Sequence, residues 1–111
     1  MTAISVDDAI AGYIDHVSVE RGLSANTVAA YKRDLARYLR WCRSIEIGLL
    51  EEVESSDVAR FAASLRNPKD NGVAEESTLS ASSAARVVVA VRSFHKFAVL
   101  EGWSPSDPAA E

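Results

Sequence analysis

The stretch Leu23–Cys42, LSANTVAAYKRDLARYLRWC, constrains this chain more than any other, because one helical period runs through it and sorts its residues onto two chemically opposed faces. Ser24 is placed to cap a helix, its hydroxyl accepting from free amides of the first turn, with Leu23 and Val28 set as a hydrophobic staple. At about 100° per residue, Val28, Tyr31, Leu35, Tyr38, Leu39 and Cys42 share an apolar stripe. Lys32, Arg33, Arg37, Arg40 and Arg43 share a separate arc, diluted only by Asp34. Asn26 falls within that arc, and Ala29 and Ala36 leave space between the long side chains for a polyanion to approach. Taken alone, such a charge run is more often a solvated bundle face than a binding surface.

Net charge is −4, yet the charge is segregated. Residues 21–43 carry six Lys and Arg against Asp34, whereas residues 44–79 carry eight acids against three cations. Residues 80–101 are basic again, with Arg86, Arg92 and Lys96 against Glu101. Two basic segments in an acidic chain suggest one cationic surface. At 111 residues the chain is expected to form one domain that buries about two thirds of its unfolded surface. An apolar content of 48% with five Gly and three Pro fits a soluble globular protein. No apolar run reaches the roughly 20 residues that span a bilayer, and MTAISVDD lacks a basic region followed by an apolar core, so a cytoplasmic location without membrane contact is expected. Cys42 is the sole cysteine and sits on the apolar stripe, which points to a packed thiol.

In chain order, Val6, Ile10, Tyr13, Ile14 and Val17 predict a first helix from about Val6 to Arg21, with Ser5 and Asp8 resembling a capping box and Gly22 as the stop. His16 lies beside that stripe without a second ligand nearby, so a boundary histidine is favoured over a metal site. Ile45–Val53 is a short acidic connection. Ser55 or Ser56 then caps a third helix through about Leu65, with Val58, Phe61, Ala62 and Leu65 as its core face. NPKDNGVAEE, residues 67–76, is a loop built on Asn-Pro and Asn-Gly turns. A fourth helix starts near Ser80. Val87, Val88 and Val89 have strand propensity, but Ala84, Val87, Val88, Val91, Phe94, His95 and Ala98 carry the helical period through them. Its other side gathers Ser82, Arg86, Val89, Arg92, Ser93 and Lys96. Gly102 ends the helix, and Trp103 with SPSDPAAE reads as a tail or linker.

Four helices with alternating loops predict a compact all-α bundle. No phosphate loop, HExxH, Cys/His cluster or Gly-x-Ser-x-Gly occurs, so no catalytic residue, metal or cofactor is expected. Asp7–Asp8 and Glu51–Glu52 are more readily caps and solvated charges than a general acid and base. Tyr13, Tyr31 and Tyr38 lie on apolar stripes and are expected in the core.

The residues Arg21-Gly22-Leu23-Ser24, Asn26-Thr27, Tyr31-Lys32-Arg33-Asp34-Leu35 and Tyr38-Leu39 resemble the N-terminal core-binding, SAM-like domain of the tyrosine site-specific recombinases. Ser83-Ala84-Ala85-Arg86, Ala90-Val91-Arg92 and Phe94 resemble its fourth helix, and Asp107-Pro108-Ala109 resembles its Asn-Pro-Ala-like entry to an interdomain linker, with Asp where Asn is common. Within the family the sequence is most similar to the Xer recombinases of the XerD type. The segment 67–79 is long for the family.

The resemblance implies a four-helix orthogonal bundle over residues 1–103 and, over 104–111, the start of a linker to a C-terminal catalytic domain in cis. That domain would carry the arginine, lysine and histidine constellation and the tyrosine that forms a 3′-phosphotyrosyl link; the present residues are expected to hold none of it. It further implies half of a C-shaped clamp on a double-stranded recombination site, nucleoid-associated, with protomers of the same or a sister protein in a synaptic tetramer. Carried over by position, Asn26, Thr27, Lys32, Arg33, Arg37, Arg86, Arg92 and Lys96 are the DNA-contact candidates, most holding phosphates, with Asn26 and Arg92 as groove-edge readers. Site-specific recombination such as chromosome dimer resolution follows from the XerD likeness. A phage or mobile-element integrase of the same family is the nearest alternative. Two other classes compete: a helical protein-interaction module docking through exposed Trp41, Trp103 or the first helix, and a self-contained DNA-processing enzyme, which the missing constellation disfavours.

Overall fold

A computed structural model of the chain describes residues 3–19, 22–66 and 79–110. Among these lie four α-helices, α1 Val6–Val19, α2 Ala25–Ser44, α3 Ser55–Ser64 and α4 Ala81–Leu100, with a 3-10 turn at Leu50–Glu52 between α2 and α3. The expected extension of α1 to Arg21 and the loop at 67–76 lie outside the described residues.

The helix starts follow local chemistry. Ser24 Oγ accepts from the Thr27 amide at 3.2 Å, and Ser80 Oγ accepts from the Ser83 amide at 3.2 Å, so α2 and α4 begin with the same hydroxyl device. At α1 the Asp8 amide donates to Ser5 Oγ at 3.0 Å. The expected serine cap of α3 is corrected: Ser55 and Ser56 lie inside the helix, and Glu54 is the cap residue. Its amide donates to Asp57 Oδ2 at 2.9 Å, because a carboxylate three residues ahead reaches the cap amide more effectively than a serine already wound into the first turn.

Both long helices close with the same paired bonds. After α4, Gly102 at φ 77° donates to the Val99 carbonyl and Trp103 to that of Ala98. After α2, Glu46 and Ile47 repeat this pattern onto Arg43 and Cys42, with Glu46 at φ 63° where glycine is usual.

The core forms where the four stripes meet. Leu35, Tyr38 and Cys42 of α2 are fully buried with Tyr13 and Val17 of α1, Phe61 and Leu65 of the α3 end, and Val87, Val91 and Phe94 of α4. The helical period therefore prevails over strand propensity at Val87–Val89; of the three, Val89 alone stays exposed. Trp41, expected at the surface, is only 4% exposed. Phe61 meets its ring edge-on at 5.5 Å and the Arg60 guanidinium lies 5.8 Å from the ring centroid. A third helix beside α2 closes a side of it that its own periodicity leaves open.

Residues 103–110 fold back onto the bundle. Trp103 is half-buried, its ring 5.4 Å from that of Phe97, and Ser104 and Ala109 are buried. The indole also explains Gly12 in mid-helix: a Cβ there would lie 2.8 Å from the Trp103 ring. At the other terminus, Leu50 donates to the Ile4 carbonyl and Val6 to that of Gly48, pinning the start of the chain to the α2–α3 connection. No described helix is long and apolar enough to cross a membrane.

Candidate nucleic-acid interface

α2 and α4 hold all eight candidate contacts, and two polar links join these helices. Asp34, which in sequence merely diluted a basic arc, is buried at 3% exposure and forms a bidentate pair with Arg86. Arg86 Nε donates to Oδ2 at 2.9 Å and Nη2 to Oδ1 at 2.8 Å. The hydrogen bonds and the negative charge of Asp34 hold the Arg86 pKa above its ordinary value. Deeper in the same seam, the Tyr38 hydroxyl and His95 Nε2 share a 2.7 Å hydrogen bond. Burial lowers the His95 pKa to about 4, against an opposing pull from Asp107, so the ring is neutral near pH 7. Burial likewise raises Tyr38 and pushes the Cys42 thiol up to about 12, which leaves both as packed neutral groups.

The eight candidate residues do not form one cluster. Thr27 and Arg86 line the same groove between α2 and α4, together with Ala30, Tyr31, Asp34 and Val89. Arg92 lines a different groove, between α3, α4 and the Pro108–Ala109 turn. Lys32 lines a third, between α1 and α2, beside Asp7 and Asp15. On α2, Lys32 and Arg37 are about 140° apart around the axis, so the arc that looked continuous in sequence has an acidic edge toward α1 and a separate part formed by exposed Asn26, Arg33 and Arg40 with half-buried Arg37. Arg43 belongs to the α1 edge, its Nη2 donating to Asp7 Oδ2 at 2.8 Å. Asn26, Arg33, Arg92 and Lys96 are exposed, and Thr27 is tied into the helix cap through its amide and hydroxyl.

Residues 10–102 match the family described as phage integrase, N-terminal SAM-like domain. The chain belongs to this family. The tyrosine recombinase XerD of Mycobacterium tuberculosis (strain H37Rv) is 44% identical over 99 residues, covering 88% of this chain and 31% of the relative, and such relatives group the domain with the N-terminal domains of XerD-type tyrosine recombinases. The chain thus spans under a third of that relative's length. Two crystal structures share the fold. The N-terminal domain of a phage integrase/site-specific recombinase from Haloarcula marismortui matches with TM-score 0.81 at 11% identity, over 97% of this chain and 94% of that one. A lambda integrase dimer bound to a COC′ core site matches with TM-score 0.72 at 18% identity, over 98% of this chain and 27% of that one.

The sequence foretold the helices of the fold but not the polar links between α2 and α4. The Asp34–Arg86 pair joins residues 52 positions apart and Tyr38–His95 joins residues 57 apart. The available signal was Asp34 itself, an acid in a row of cations one residue from a buried leucine.

Proposed function

We propose that this domain binds duplex DNA at the core of a recombination site, as the N-terminal half of a clamp in a XerD-type tyrosine recombinase. The observation that carries this reading is the packing of α2 beside α4, which sets two cation-bearing helices side by side in a chain whose net charge is −4. Asn26, Thr27, Lys32, Arg33, Arg37, Arg86, Arg92 and Lys96 are the proposed contacts, most of them on phosphates. The domain would contribute grip and register, while phosphodiester chemistry would belong to a catalytic domain reached through residues 104–111. Sister protomers would complete a synaptic tetramer, in recombination such as chromosome dimer resolution. An integrase of a mobile element would use the same surface on a different site. The interaction-module reading loses its anchor in Trp41, which is buried.

Titration of the chain with duplex DNA across a salt series tests the proposal. Neutralising about four to six phosphates gives a slope of about −4 to −5 in log K against log salt. A flat salt response, or no binding at low ionic strength, contradicts it.

A further inference from the structure

Arg86 and Val89 stand three residues apart on one ridge of α4, and both line the groove of about 140 Å³ that α4 makes with α2 at Thr27 and Ala30. Asp34 takes the Nε hydrogen and one Nη2 hydrogen of Arg86. What remains is the outer fork, the Nη1 hydrogens and the second on Nη2, on a side chain still 47% exposed. A guanidinium held from behind by a carboxylate is fixed in direction. It is also a weaker phosphate ligand than a lone arginine, because the carboxylate repels the same phosphate that the guanidinium attracts. The neutral acceptors O6 and N7 of guanine incur much less of that repulsion and suit a rigid fork.

Val89 is 56% exposed, while Val87 and Val91 beside it supply the core contacts of the helix. Single exposed apolar residues are ordinary on protein surfaces. This one, however, sits between Arg86 and Arg92 on a cationic row and on the wall of the groove that Arg86 enters.

We propose that this groove reads base edges, with Asp34 positioning Arg86 for O6 and N7 of a guanine and Val89 covering the 5-methyl group of a neighbouring thymine. The inference rests on the duplex binding proposed above and assigns it a source of specificity. Residues three apart on a helix have Cβ atoms about 5–6 Å apart, against about 3.4 Å per base step, so the two bases lie within about two base pairs of each other.

The test uses the 111-residue chain and a duplex that the chain itself enriches from a randomised pool. Each thymine is replaced in turn by deoxyuridine, which removes only the methyl group, and each guanine by deazaguanine, which removes only the N7 acceptor. One thymine replacement should weaken binding about fourfold, the worth of one buried methyl. One guanine replacement close to it should weaken binding about fivefold or more. Val89→Ala should no longer respond to the deoxyuridine. Arg86→Lys, which keeps the charge and loses the fork, should no longer respond to the deazaguanine. Asp34→Asn should blunt the guanine response and leave the thymine response intact. An enriched duplex without such a pair of bases, variants that respond as the wild type does, or a pool with no enriched sequence each overturns the inference while leaving salt-dependent binding standing. Failure to bind any duplex overturns both.

Discussion

α2 meets α1 and α4 along two seams closed by similar ion pairs in unlike surroundings. Toward α1, Arg43 and Asp7 approach to 2.8 Å with side chains 61% and 59% exposed. Toward α4, Arg86 and Asp34 approach to the same 2.8 Å, but the Asp34 side chain is 4% exposed and Tyr38–His95 lies in the same seam. Water screens the first pair, so it contributes little to stability. The second cannot lose a partner without leaving a carboxylate in the interior. The α1 seam also places Asp7 and Asp15 in one groove with Lys32, and its Arg43 is paired with Asp7. The α4 seam is different: its polar links rest on buried Asp34, Tyr38 and His95 and fix the mutual placement of two helices that carry exposed cations, Arg33 and Arg40 on α2 and Arg92 and Lys96 on α4. Polar bonds at one seam therefore organise a surface, and at the other they decorate one.

The largest consequence follows from His95. Its pKa is about 4 in the folded chain against 6.5 ordinarily, so between these values the unfolded chain holds a proton that the folded chain does not. Stability is then full above about pH 6.5 and falls on acidification to about pH 4, by about 3 kcal/mol. Urea denaturation across that range measures it, and His95→Gln should remove this part of the slope. Glu52, whose pKa is lowered by hydrogen bonds from the Leu49 and Gly48 amides, adds an acid loss at lower pH that His95→Gln leaves in place. A slope unchanged in His95→Gln would break the distinction between a buried polar seam and a surface one.

Next in size, Arg86→Ala should cost about 1–3 kcal/mol by stranding Asp34. Arg43→Ala should cost about 0–1 kcal/mol, and that cost should shrink further in salt. Chemical denaturation of the two variants at low and high ionic strength compares the seams directly. Equal losses would mean that the burial of Asp34 carries no energetic weight.

The fold was legible because its determinants are local. The stripes of α1, α2 and α4 repeat within one helix, and Ser24 and Ser80 cap within one turn. What escaped was set by elements remote in the chain. Trp41 looked exposed because α2 alone does not show that Phe61 covers it. Gly12 drew no attention because its reason is Trp103, which folds back after α4. Residues 103–110 read as a tail or linker, and nothing local to them shows that Ser104 and Ala109 are buried. For the candidate site, period and charge put the candidates on α2 and α4, which pack side by side. They could not show that Lys32 shares a groove with acids of α1, or that Arg86 is gripped by a buried Asp34.

The most direct measurement is an amide chemical-shift titration of the isotope-labelled chain with duplex DNA at low salt. If the α4 seam presents one surface, Asn26, Thr27, Arg33 and Arg37 on α2 should shift together with Arg86, Val89 and Arg92 on α4. Asp8 and Val19, exposed on α1 and outside the grooves that Lys32 lines, should stay where they are. Shifts centred on α1, or on α2 with α4 unmoved, would contradict the account.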